Sequence, residues 1–287
     1  MVTHHEYVEV ETSTFLSPSI LDRTSLVGQA VRDAVRSVDK DVLIVGGEIG
    51  PHNGGSPPCD TSFLRWSVFG NSFWYADALA SKALSGYALF CRQDYIGADY
   101  GLVDWYVLRS RNPLSLSLFF FTHTLTHLHS STGTPLPDFY TALIYSHTMG
   151  DMVLEANVTT LNASAIRSYA SCSLNHGLTV LLMNLADKNV SVKLSYDEDE
   201  DDDDDDVHRN RFNEERLDWV LTGNQDSDLS LNGLTGLKGT GIALNGKTIT
   251  SSEDGTIPKL SGSKSSGWDL KLNGLSIGFY QFPGVRC

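Results

Sequence analysis

One carboxylate stands out by its position. Val42-Leu43-Ile44-Val45 is a continuous apolar run of the kind that forms a buried parallel strand. It runs into Gly46-Gly47-Glu48 and then into a Gly- and Pro-rich loop that extends to Pro58. A carboxylate that is to attack carbon, or to move a proton, needs a rigid perch, and a strand end supplies one. The same placement suits a structural salt bridge or a cap, and residue type alone leaves these readings open. His5 and Tyr7 lie in a strand-like stretch near the start of the chain, either as site residues or as a satisfied aromatic pair.

The elements that must carry these residues are set by periodicity. Val2 to Val10 has strand character. From Pro18 to Val38 the apolar positions recur with a period near 3.6, which predicts an amphipathic helix with Ser17 as N-cap. Helices are also predicted over Ser67–Leu84 and Pro137–Met149, and a second buried strand over Tyr87–Arg92. Strand, helix, strand, helix, strand, loop, helix is the signature of βα units around a parallel sheet, where chemistry sits at the C-terminal strand ends. Trp66, Phe73 and Trp74 read as helix packing rather than as platforms for a ligand.

After Gly150 the grammar changes. Ile166–Ser173, Leu178–Asn184, Val190–Tyr196, Asp218–Thr222 and Leu275–Phe282 are short strand-like segments between Gly, Asn and Asp, and Asn245-Gly246 is a hairpin turn signal. The expected organisation is residues 1–150 as an α/β domain and 151–287 as an antiparallel β-sandwich.

Composition bounds the partners. The net charge of −14 argues against nucleic acid, which demands clustered Lys and Arg. Asp197–Asp206 alone supplies ten negative charges, so the acidity belongs to one low-complexity loop, 197–206, read as solvated rather than as a calcium site. The four cysteines (Cys59, Cys91, Cys172, Cys287) have no zinc-type spacing, and no cofactor or metal is expected. Sequons fall at Asn157, Asn162 and Asn189. No apolar h-region opens the chain and no stretch is apolar enough for a transmembrane segment. Residues 105–130 fit neither half: Leu/Ser alternation, three phenylalanines, then Thr/His alternation with His123, His127 and His129. An exposed edge strand or metal binding could give such a pattern, but pyrimidine-rich and CA-repeat codons produce it directly, so the segment is read as an intron-like insert.

Val45-Gly46-Gly47-Glu48-Ile49-Gly50-Pro51-His52-Asn53-Gly54-Gly55 resembles the nucleophile region of the heparanase-like glycosidases, family 79 of the glycoside hydrolases. Upstream, Val2-Thr3-His4-His5-Glu6-Tyr7 is similar to the family's preceding barrel strand, and Phe15-Leu16-Ser17-Pro18-Ser19-Ile20-Leu21-Asp22 to the segment after that strand. Downstream, Phe73-Trp74-Tyr75-Ala76-Asp77, Cys91-Arg92-Gln93, Gly97-Ala98-Asp99-Tyr100-Gly101-Leu102-Val103-Asp104, Pro135-Leu136-Pro137-Asp138-Phe139-Tyr140 and Tyr169-Ala170-Ser171-Cys172 succeed one another in the family's order, in the manner of plant-type members.

The resemblance implies the last three βα units of a (β/α)8 TIM barrel followed by a β-sandwich, and retaining hydrolysis of β-linked glucuronic acid in a glycan or a smaller glucuronoside. Glu48 would be the nucleophile, with His5, Tyr7, Gln93 and Tyr100 lining the site, and Gly54, Gly55 and Tyr100 contacting the sugar carboxylate. Cys172 and Cys287 would form a disulfide; Cys91 is read as a buried apolar residue. A monomer is implied, either secreted, where membrane association is possible, or held in an endomembrane, lysosomal or vacuolar compartment. The sequence departs from the pattern in one respect. The family's general acid/base lies in an Asn-Glu-Pro motif, which occurs nowhere here; Asn213-Glu214-Glu215 has no proline after it. Two alternatives arise: a non-catalytic carbohydrate-binding or interaction protein, or a truncated gene model of the enzyme. A half-barrel is expected to expose strand edges and apolar faces.

Overall fold

β1 (Val2–Tyr7), β2 (Ile44–Gly50) and β3 (Tyr87–Arg92) form a three-stranded sheet in that order, parallel throughout. The computed structural model describes residues 1–9, 14, 16–53, 66–96, 100–103, 134–159, 163–173, 177–195, 215–224, 236–251 and 256–285. The expected insert at 105–130, the acidic loop at 197–206, and Gly54, Gly55, Cys59, Asn162 and Cys287 lie outside the described residues. The chain divides into two compact units, one of residues 1–143, 223–243 and 247–260, the other of 144–222, 244–246 and 261–287.

In the first unit, α1 (Pro18–Val38) and α2 (Phe69–Leu84) connect the strands. The sequence places α1 at the same limits, but its buried stripe is Leu21, Thr24 and Gly28, and Leu26 and Val38 are exposed. Gly28 is where α2 comes near: a Cβ there would sit 3.0 Å from Ser85 Oγ. α2 is buried on nearly every side, and Trp74 Nε1 donates to Thr24 Oγ1 of α1 at 3.3 Å. Its first turn has no side-chain cap; instead Phe69 N and Gly70 N donate to the carbonyls of Gly239 and Leu237, which satisfies groups every helix start leaves open. Phe73 and Trp74 on α2 are fully buried, as the packing reading expects; Trp66 is buried too but lies ahead of the helix. α3 (Pro137–Thr148) begins in this unit.

Two expectations need correction. Tyr87–Arg92 was expected to be buried, yet β3 alternates half-buried and exposed residues, with Leu89 60% exposed and Cys91 exposed and free. β3 is the edge of the described sheet, so its apolar character is not matched by cover. The second correction concerns Glu48. It does not follow the strand but lies inside it, because β2 continues its pairing with β1 as far as Gly50.

The second unit is antiparallel. β4 (Met152–Leu154), β5 (Ile166–Ser173), β6 (Gly177–Asn184), β8 (Glu215–Gly223) and β13 (Ser276–Phe282) run in the order β8-β13-β6-β5-β4, with β11 (Ser263–Ser266) paired to β8. β7 (Val190–Lys193) pairs with β12 (Asp269–Leu272). Alternate residues of β5, β6 and β13 (Ile166, Ala170, Val180, Leu182, Tyr280, Phe282) cluster with Leu270 and Leu272 of β12, the period-2 pattern of strands with one buried face. β9 (Ile242–Leu244) and β10 (Lys247–Thr248) are joined through Asn245-Gly246, whose positive φ values of 50° and 76° are those of the expected tight hairpin.

Candidate active site

The site is made by a register shift. Along β1 and β2 the partners run Val2–Ile44, Thr3–Val45 and His4–Gly46, then jump to His5–Glu48, so Gly47 is an extra residue on β2. Side chains alternate along a strand, and one inserted residue reverses which face the following ones take. The bulge thereby brings Glu48 opposite His5. Gly47 is the residue that permits it, because a Cβ there would collide with Thr3 Oγ1.

Glu48 is held from both of its oxygens. His5 Nδ1 lies 2.7 Å from Oε2, and the Tyr7 hydroxyl donates to Oε1. The carboxylate is partly exposed and His5 more so, so the pair is open to a ligand. Tyr7 lies over the end of β2, where a Cβ on Gly50 would come within 2.7 Å of its ring. Burial first, then the hydrogen bond to Glu48 and the charges of Glu48, Tyr100 and Asp94, push the Tyr7 phenol far above its ordinary range. Tyr7 therefore remains a proton donor to the carboxylate at any working pH.

Glu6, between His5 and Tyr7, points the other way. Its carboxylate meets Lys82 Nζ of α2 at 2.5 Å, and Lys82 also donates to the Thr24 carbonyl at 3.0 Å. The residues facing Glu48 thus sit on a strand whose reverse face is pinned by a buried ion pair.

Beyond β2, His52 Nδ1 lies 2.6 Å from Glu9 Oε2, and Asn53 N donates to Glu9 Oε1 at 3.1 Å. This holds His52 and Asn53 beside Glu9, just past the end of β1. The His52 ring stacks on Trp66 with centroids 4.3 Å apart. Gln93 follows β3, and its N–H donates to the Ile49 carbonyl at 2.9 Å, so its backbone adjoins the strand that carries Glu48. Tyr100 is buried, and its carbonyl accepts from Nη2 of Arg92, the last residue of β3, at 2.9 Å. The structure therefore brings together Glu48, His5 and Tyr7, and places the Gln93 backbone beside the strand that carries Glu48.

Three groups here were not singled out from sequence: Asp94, Arg92 and Asp138. The last two belong to family-like blocks, but nothing in either block signals a contact across 46 residues. Cys172 is fully buried and disulfide-bonded, with its expected partner Cys287 outside the described residues. Asn157 and Asn189 are exposed. Among the described residues no group of three or more His, Cys, Asp or Glu is placed to hold a metal ion, and no helix is long and apolar enough to cross a membrane.

The fold matches a 4-O-α-L-rhamnosyl-β-D-glucuronidase from Fusarium oxysporum with a TM-score of 0.59, at 12% identity, over 97% of this chain and 52% of that one. By sequence the chain is a relative of the heparanase-like proteins, glycoside hydrolase family 79. It is 29% identical to heparanase-like protein 2 of Arabidopsis thaliana over 83% of this chain and 40% of that protein. It is 25% identical to the baicalin-β-D-glucuronidase of Scutellaria baicalensis over 99% of this chain and 46% of that protein. The chain thus spans less than half the length of these relatives. No protein-family model matches it.

Proposed function

We propose that this chain is the nucleophile-bearing part of a retaining glycoside hydrolase acting on β-linked glucuronic acid. In this reading residues 1–150 supply the last three βα units of a (β/α)8 barrel and residues 151–287 a β-sandwich. Glu48 attacks the anomeric carbon, and the leaving oxygen departs as the glycosyl ester forms on the carboxylate. Water then hydrolyses the ester, which restores the original anomeric configuration. His5 and Tyr7 aim the carboxylate. Tyr100 and the Gly54–Gly55 backbone grip the sugar's own carboxylate, and Gln93 lines the site. The protein is a secreted or endomembrane monomer, with the Cys172–Cys287 disulfide and glycans on Asn157, Asn162 and Asn189. The observation that carries the reading is the carboxylate of Glu48 held by two side chains of the neighbouring parallel strand.

The mechanism requires a second carboxyl group about 5–5.5 Å from the nucleophile to protonate the leaving oxygen. The family places it in an Asn-Glu-Pro motif, which these 287 residues lack. The chain alone is therefore proposed to be inactive on glucuronides with poor leaving groups. Fluoride, however, leaves without a proton. Incubation with 2-deoxy-2-fluoro-β-D-glucuronyl fluoride should form the C1–O bond to Glu48, release fluoride and stop there, because the 2-fluoro group slows hydrolysis. Peptide mapping is expected to find the adduct on Glu48 and none in Glu48→Gln. An adduct on a different acidic residue overturns the assignment. Binding of glucuronate without any adduct favours the second reading, a non-catalytic carbohydrate-binding protein, which the missing motif supports.

A further inference from the structure

Arg92 is the last residue of β3 and its side chain is 4% exposed. A guanidinium does not neutralise itself by losing a proton, so burying one demands partners. Its Nη2 donates to Asp138 Oδ2 at 3.1 Å and to the Tyr100 carbonyl at 2.9 Å. Asp138 is itself buried and fixed: Asn71 Nδ2 donates to Oδ2 and Ser72 Oγ to Oδ1, each at 2.8 Å. The guanidinium carbon lies 5.3 Å from the centroid of the Trp74 ring, 5.2 Å from Tyr75 and 5.6 Å from Tyr100, within reach of cation–π attraction. Nε and Nη1 are buried with no hydrogen-bond partner among the described residues, so the rings are their neighbours in place of acceptors.

The plain reading of this cluster is a core ion pair that ties β3 to α2 and α3. Two of the Arg92 contacts go further, because they meet Tyr100 through both its carbonyl and its ring. The backbone around Tyr100 is closed by Leu102 N to the Asp94 carbonyl at 3.2 Å and Val103 N to the Tyr95 carbonyl at 3.0 Å. Leu136 N donates to the Leu102 carbonyl at 2.9 Å, which joins the same segment to the start of α3. Through Arg92 and Asp138 the Tyr100 segment is thus tied to the start of α3.

We infer that Arg92, anchored on Asp138, is a positioning residue that fixes Tyr100 as the group selecting a uronic acid over a neutral sugar. The inference rests on the proposed reading of Glu48 as a glycosyl nucleophile and of Tyr100 as a contact of the sugar carboxylate. Its test compares labelling of Glu48 by 2-deoxy-2-fluoro-β-D-glucuronyl fluoride with labelling by the corresponding glucosyl fluoride, for wild type, Arg92→Lys, Tyr100→Phe and the double variant. Wild type should favour the glucuronyl reagent. Each single change should slow that reagent about tenfold, the scale of a hydrogen bond to a charged group, and so lower the ratio of the glucuronyl to the glucosyl rate. Because Arg92 acts through Tyr100, the double variant should be no slower than either single one; independent effects would multiply.

Asp138→Asn, which keeps the shape of the anchor, should shift the preference in the same direction and serves where Arg92→Lys does not fold. Unchanged preference in folded Arg92→Lys and Asp138→Asn overturns the inference, as do equal losses with both reagents or multiplying effects. A wild type that labels equally with both reagents removes Tyr100 as the selector and overturns it too. Labelling by neither reagent sinks the glycosidase reading itself, and this inference with it.

Discussion

Tyr7 donates its hydroxyl hydrogen to Glu48 across two parallel strands, although the two residues are not register partners: Tyr7 lies opposite Gly50, and Glu48 opposite His5. Both strands contribute to that meeting. On β1, His5 and Tyr7 are two apart and share a face, while Glu6 between them is drawn to the opposite side by Lys82. On β2, the extra Gly47 turns Glu48 toward that same face. The Tyr7 ring then reaches back over Gly50, the position where a side chain would stop it.

Removing the hydroxyl isolates its contribution. Tyr7→Phe keeps the ring over Gly50 and leaves Oε1 of Glu48 without this donor. A hydrogen bond to a charged group is worth about 1.5–3 kcal/mol, so the rate of covalent labelling at Glu48 should fall roughly tenfold to a hundredfold. Thermal stability should hardly change, since the Glu48 carboxylate is partly solvated. Stopped labelling assays on the two proteins give the ratio, and equal rates would mean that Tyr7 does not aim the nucleophile.

Gly47 makes a sharper structural prediction. Gly47→Ala puts a methyl group against Thr3 Oγ1, and a β-branched residue has little rotamer freedom with which to withdraw. The cost is expected to be about 1–3 kcal/mol, the range for overpacking. Thr3→Ala in the same chain removes the offending oxygen and leaves its Cβ at an ordinary 3.5 Å, so the double variant should recover most of the loss. Urea midpoints of the three proteins decide it. A double variant as unstable as Gly47→Ala would show that the constraint is backbone conformation and not this contact.

The thiols separate by burial. Cys91 is exposed and free on the edge strand, and should react with iodoacetamide in the native protein. Cys172 is fully buried and disulfide-bonded, and should react only after reduction and unfolding. Non-reducing peptide maps should recover Cys172 linked to Cys287. Linkage to Cys59 would refute the pairing that the family resemblance implies.

The features readable in the sequence are those that depend on local pattern. The 18–38 period and the Asn245-Gly246 turn each specify their element without reference to distant chain, and each is found; the apolar run at 42–45 marks only the start of β2, which begins at Ile44 and runs on to Gly50. Glu48 was recognisable because an apolar run gives way to glycines just before it, a change in composition that the strand itself runs through to Gly50. Its orientation was not, because the bulge exists only relative to β1, and no residue of β2 alone reveals that Gly47 is unpaired. The exposure of Leu89 escaped for a related reason: an apolar run reports what a strand is suited to contact, not what covers it. Arg92 and Asp138 stood out only as members of family-like blocks, since an ion pair between a strand end and a helix start leaves no periodic trace.

The buried pair behind the site makes the last prediction. Burial pushes the Glu6 carboxyl up, while the charge and hydrogen bond of Lys82 pull it down; burial likewise lowers the Lys82 ammonium, against the pull of Glu6. In Lys82→Met the opposing cation is gone, so burial acts on Glu6 unopposed and its folded pKa stands above the ordinary 4.5. A folded pKa above the unfolded one means a stabilising contribution that is complete below about pH 4.5 and lost as pH rises through the folded value. Lys82→Met should therefore be weakest near neutral pH, about 3–5 kcal/mol below wild type, as for other broken buried pairs, and the gap should narrow toward pH 4.5. Glu6→Gln in the same chain removes the charge altogether and should restore much of the neutral-pH stability. Urea unfolding at both pH values measures the gap directly. A gap that is the same at both would show that Lys82 contributes packing rather than charge, and that the strand carrying His5 and Tyr7 is pinned without the ion pair.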